Sequence, residues 1–168
     1  MNYFRTMILF AVVLLVGCAS NPMILSNTHV VTPPTQNEAK IIFLRSSFMG
    51  SAINASIYDV TDGSPIFIGI LSNGTKVPHQ TSPGKHTFMV VSEAADFMES
   101  DLKAGKIYYS LITPRMGAWK ARFSMWPIRN DSSSEYNTKS DDFESWIKNT
   151  KLATNSEESR EWYRNHKY

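Results

Sequence analysis

The sequence predicts a mainly β protein: a single antiparallel β-sandwich of seven or eight short strands, behind an N-terminal apolar segment. Three observations carry the prediction. Strand-like runs recur roughly every ten residues between positions 39 and 130, with no helical period between them. Turn dipeptides such as Asn73-Gly74, Pro83-Gly84 and Ala104-Gly105 separate the runs. The first residues form a basic, then apolar, then small-residue pattern that ends on the only cysteine, Cys18.

In that segment, Arg5 precedes "MILFAVVLLVG" (residues 7–17), which carries no charge. A run this short suits a signal-peptide core better than a helix crossing a hydrocarbon layer of ~30 Å. Leu15-Val16-Gly17-Cys18 resembles the bacterial lipobox at every position. The resemblance implies removal of residues 1–17, diacylglycerol on the Cys18 thiol, and acylation of the new amine. Two or more chains, at ~0.8 kcal/mol per buried CH₂, hold a protein durably where one does not. A lone cysteine offers neither a disulfide framework nor a CxxC metal site. Ala19 and Ser20 follow it rather than Asp. By analogy with Gram-negative lipoproteins, that implies an exported protein anchored in the outer membrane and facing the periplasm.

Residues 18–38 contain three prolines and little periodicity, and read as the lipidated cysteine followed by a flexible tether. Ile24-Leu25 and Val30-Val31 are the parts of it able to dock on the domain. The domain itself spans 39–130. Its strands are expected at 39–46, 53–60, 65–72, 75–81, 85–92, 97–102 and 107–113, with a further alternating stretch ending near 128. Asn73-Gly74 predicts a type I′ hairpin that pairs 65–72 with 75–81. Pro83-Gly84 suits a tight hairpin poorly, so that bend is expected to cross between sheets. Residues 131–168 read as a loop and two short helices. Phe143, Trp146 and Ile147 share one helical face, with Asp141 and Glu144 as a cap pair. Thr154-x-x-Glu157 reads as a capping box for the second helix, whose Trp162 and Tyr163 should lie against the body.

Without residues 1–17 the chain would carry 16 Lys/Arg against 15 Asp/Glu. This near-neutral balance argues against nucleic acid as a partner. Residues 39–130 hold ten bases and six acids, and 131–168 six and eight, a mild asymmetry that ordinary solvated surface accommodates.

"AKIIFLR", "YDVTDGSPIFIGILSNGT", "SPGKHTF" and "DLKAGKIYYSLI", in that order, resemble a family of small bacterial lipoproteins with a PEGA-type β-sandwich. The likeness covers about residues 39–128. It rests on turn and core positions, so it implies a fold and supplies no catalytic residues.

Two groups of side chains are candidates for function. "TPRMGAWKARFSMWPIR" (113–129) interleaves Trp119, Phe123 and Trp126 with Arg115, Lys120, Arg122 and Arg129. Exposed aromatics beside cations stack on sugar rings or bind anionic groups such as lipopolysaccharide phosphates. The same pattern also fits Trp119 and Phe123 in the core, with the cations keeping an edge strand soluble. By alternation Trp126 falls on the cationic face. The second group is His79 and His86. A two-residue turn at Pro83-Gly84 would make them diagonal neighbours ~7–8 Å apart, within reach of one metal. A metal site wants a third ligand, and the nearest carboxylates in sequence are Glu93 and Asp96. There is no G-x-S-x-G, H-E-x-x-H or phosphate-loop motif. Asp141-Asp142 fits a solvated helix start.

The expectation is therefore a lipid-anchored, non-catalytic module without a cofactor that binds or scaffolds other envelope components. Polysaccharide or lipopolysaccharide binding through 119–129 is the alternative. A metal-dependent hydrolase using His79 and His86 is the remote one.

Overall fold

Residues 39–45 set the architecture. They form β2 (Ala39–Arg45), and all seven are buried in a computed structural model that describes residues 21–47, 51–115 and 122–165. A strand hidden on both faces must lie inside a sheet that is covered twice, which is why its centre, 41–44, reads as a continuous apolar run between Lys40 and Arg45. The six-stranded sheet runs β1 (Ile24–Ser26), β10 (Lys151–Thr154), β5 (Thr75–Thr81), β2, β8 (Ile107–Arg115), β9 (Arg122–Ile128). A four-stranded sheet runs β4 (Ile66–Leu71), β3 (Ala55–Asp59), β6 (Gly84–Val91), β7 (Ala95–Leu102). Ile41 and Phe43 of the first meet Ile57, Phe88 and Val90 of the second in one core, with the Phe43 and Phe88 rings edge-on at 5.2 Å.

The second cover of β2 is the C-terminal region. Leu44, Leu111 and Ile128 form a smaller cluster on the other face, under Phe143, Trp146 and Ile147 of α1 (Asp141–Asn149). Beneath α1 the wholly buried Lys76 donates from Nζ to the Ile147 carbonyl at 2.8 Å. A cation there meets the negative end of the helix dipole, while burial holds its pKa below the ordinary value. Arg45, equally buried, sits 4.4 Å over the Phe123 ring and donates to the Ile53 carbonyl, with burial lowering its pKa to about 10. On the four-stranded sheet, α2 (Glu157–Asn165) stacks Tyr163 on Phe67 at 4.8 Å and lodges Trp162 against the main core. Both helices lie on the body through their aromatics, as expected.

Several expectations change. The described residues hold ten strands rather than seven or eight. The two additions, β1 and β10, are three and four residues long, too short for a period to register. The four-stranded sheet is antiparallel throughout, but the six-stranded sheet is mixed, because β2 runs parallel to β8 and β10 parallel to β5. The Asn73-Gly74 turn is not a hairpin: β4 and β5 belong to different sheets. A type I′ turn needs φ > 0 at both central residues, and only Gly74 has it, at 72°. Gly74 N instead donates to the Arg45 carbonyl, locking the turn onto the end of β2. The Pro83-Gly84 bend does cross between sheets.

Residues 21–38 are not a free tether. β1 pairs with β10, Met23 is 5 % exposed inside the core, and the Lys40 ammonium donates to the Thr32 carbonyl. Gly69 makes room for Met23, since a Cβ there would lie 2.9 Å from Met23 Cε. Both helix caps also move. Ser140, not Asp141, is the first N-cap, accepting from Phe143 N at 3.2 Å. The second capping box is Ser156–Ser159, each hydroxyl accepting from the other's amide at 3.0 and 2.9 Å, because Thr154 is still strand.

Candidate functional site

The described parts of the aromatic and cationic stretch, 113–115 and 122–129, form the end of β8 and β9 with Arg129 after it; the two strands pair antiparallel, and β9 is the last strand of its sheet. Alternation sends Phe123 and Met125 into the main core and leaves Arg122 and Trp126 on the outer face. Trp126 is 40 % exposed, and its Nε1 donates to Thr113 Oγ1 at 2.9 Å. Its ring begins an aromatic arc: Tyr136 follows at 5.7 Å and a 39° tilt, then Trp146 at 6.0 Å and 51°. The loop that carries Tyr136 is fixed by two backbone bonds, Arg129 N to the Tyr136 carbonyl and Thr138 N to the Arg129 carbonyl. Burial raises the Tyr136 phenol above its usual pKa, and the Glu135 carboxylate beside it adds to the shift, so this hydroxyl remains a donor.

The cations divide into two kinds. Arg115 pairs with Asp96 at 3.2 Å and belongs to the fastening between the sheets: the other Asp96 oxygen accepts from Met125 N of β9 at 3.0 Å. Arg122 lies directly across the ladder from Arg115 and is exposed, and Arg129 is exposed at the far end of the strand. Trp119, Lys120 and Cys18 lie outside the described residues. Beyond Arg129 a cleft of about 700 Å³ opens between β7 and the β8–β9 pair, lined by Met98, Ser100, Tyr108, Tyr109, Arg129 and Thr138 among others. Its lining mixes apolar and tyrosine side chains with the carboxylates of Glu99, Asp101 and Asp131. The cleft takes in Pro127, Ile128 and Arg129, which follow Trp126 in sequence.

The histidines do something else. They are not diagonal neighbours on one hairpin but sit on different sheets, either side of Phe88: His86 stacks on that ring at 5.6 Å and His79 meets it edge-on at 6.3 Å. His86 Nδ1 bonds Asp59 Oδ2 at 2.8 Å, and across the ladder stands Ser100. Aspartate, histidine and serine thus occupy neighbouring strands in the order of a hydrolase triad. However, the His86 Nε2 that would accept a serine proton is bonded to the Ser82 carbonyl at 3.0 Å. With Nδ1 engaged by Asp59 and Nε2 by the Ser82 carbonyl, the ring works as a clasp on the crossing between sheets. Burial alone would raise the Asp59 pKa, but the Thr61 hydroxyl and amide, together with His86, outweigh it and hold the carboxyl below its ordinary value. Burial lowers His79. Among the described residues no group of three or more His, Cys, Asp or Glu side chains comes together to hold a metal.

Tyr136, Trp146 and Thr113 belong to the surface but were not legible as such. Trp146 carried only a packing signal, and Tyr136 sits in "DSSSEYNTKS", which has no period.

No protein-family model matches the chain, and no curated protein matches it. Among solved structures, it is similar to an NMR structure of a protein from Eubacterium rectale. That likeness has a TM-score of 0.40 and 10 % identity, and covers 61 % of this chain and 99 % of the other.

Proposed function

We propose that the protein is a lipid-anchored, non-catalytic binding module of a bacterial cell envelope. In this reading its two sheets form one β-sandwich of the PEGA type, held at the outer membrane through acylated Cys18, and it meets other envelope components by surface contact. The observation that carries the reading is Trp126. It is a large aromatic side chain held open on an edge strand, with its own N–H already satisfied, beside exposed Arg122 and Arg129. Buried aromatic and arginine anchors dominate the energetics of recognition surfaces. A photo-crosslinker at position 126, in cells, tests it: capture of a discrete envelope component is expected, and capture no greater than from exposed Glu161 contradicts it.

The arc from Trp126 through Tyr136 to Trp146 favours a second, more specific reading, in which the component is a polysaccharide or lipopolysaccharide. Successive tilted rings offer stacking faces for a twisting sugar chain, and the arginines suit its anionic groups. Co-sedimentation with isolated peptidoglycan, and capture on immobilised lipopolysaccharide, should both fall for Trp126→Ala. Equal retention of wild type and variant removes the polysaccharide reading.

A further inference from the structure

We propose that the side of the body carrying β1 and β4 faces the anchoring bilayer, so that the Trp126 surface is presented away from it, across the width of the six-stranded sheet. The inference rests on the reading of Cys18 as the acylated residue and adds an orientation to it.

The start of the described chain is fixed. Ser156 donates its hydroxyl to the Pro22 carbonyl, Met23 Sδ accepts from Ile70 N at 3.4 Å, and β1 pairs with β10. However they are arranged, the four steps from Cys18 to Pro22 cover at most ~14 Å. A lipid on Cys18 therefore lies within that radius of the β1 end. The Met23–Ile70 contact also brings β4, the outer strand of the second sheet, to this side. Here Ile24 (57 %), Leu25 (47 %) and Ile66 (57 %) are exposed. In water about half of each of these residues stays exposed, whereas a headgroup–acyl boundary would cover that remainder.

Sheet order fixes what lies opposite. β9 is five strand spacings from β1, and at ~4.8 Å each that is roughly 24 Å. β7, the other outer strand of the four-stranded sheet, is on the β9 side, joined to it through Asp96. The short anchor and the strand order together hold the Trp126 surface outward, where a polymer or protein beyond the membrane can reach it.

Acylation consumes the only native thiol, so one introduced cysteine takes a fluorophore uniquely. Ile24→Cys and Arg122→Cys, both at exposed sites, are made in the full-length gene. Each protein is extracted from membranes, labelled and reconstituted in phosphatidylethanolamine–phosphatidylglycerol vesicles containing a headgroup nitroxide. The label at 24 should be strongly quenched. The label at 122 should be quenched no more than in the same variant lacking residues 1–18 and mixed with the vesicles. Leu25→Cys repeats the near position if Ile24→Cys fails to fold. Equal quenching at the two positions on protein that floats with the vesicles overturns the orientation and leaves the anchor standing. Protein that does not float removes the anchor, and the orientation with it.

Discussion

Replacing Met23 by alanine should destabilise the protein by about 2 kcal/mol, a large effect for a residue so near the chain start. Its side chain is 5 % exposed and packs in the main core over Gly69 and Val77. Core Met→Ala changes cost ~2–5 kcal/mol, and the lower end applies because a terminal strand can peel away locally. At ~2–4 °C per kcal/mol for a chain of this size, the melting temperature should fall by about 4–8 °C. Urea unfolding of residues 18–168 with Cys18→Ser, with and without Met23→Ala, measures the difference. Hydrogen exchange at Ile70 supplies a local readout, because its amide donates to the Met23 sulfur and should exchange faster in the variant. Unchanged stability together with unchanged exchange would refute the argument, since a free tether would behave that way.

Three further outcomes follow from the same contacts. Asp96→Ala should cost about 1–2 kcal/mol by orphaning Met125 N, whereas Arg115→Ala should cost under about 1 kcal/mol because the ion pair is partly solvated; urea midpoints separate the two. Burial depresses the His79 pKa, so the unfolded chain takes up its proton first, near 6.5, and stability should be full above that pH and decline as the pH falls towards the folded value. His79→Gln should flatten that decline, and a wild-type slope over the same interval would contradict it. Trp126→Ala should leave the unfolding free energy from urea titration within about 1 kcal/mol of wild type, Trp126 being 40 % exposed, so a loss of polysaccharide capture by that variant would report binding and not folding.

Much of the fold was legible because its strands are period-bearing runs. The alternation of 122–128 correctly sent Phe123 and Met125 inward and Trp126 outward. The pairing was less legible. Asn73-Gly74 has the composition of a hairpin, but what decides it is the Gly74 bond to Arg45, a contact with a strand 29 residues earlier. β1 and β10 carry no pattern of their own and exist because each completes the other beside β5. The same holds for the site: Arg115 looked like its neighbours until Asp96 claimed it, and Tyr136 entered through a loop folded back on Arg129.

The chemical state of Cys18 decides whether the protein is lipid-anchored. Intact-mass spectrometry of the protein extracted from membranes should find a chain that begins at Cys18 and carries a diacylglyceryl group and an amide-linked acyl chain. A free thiol at Cys18, on a polypeptide still starting at Met1, would contradict it.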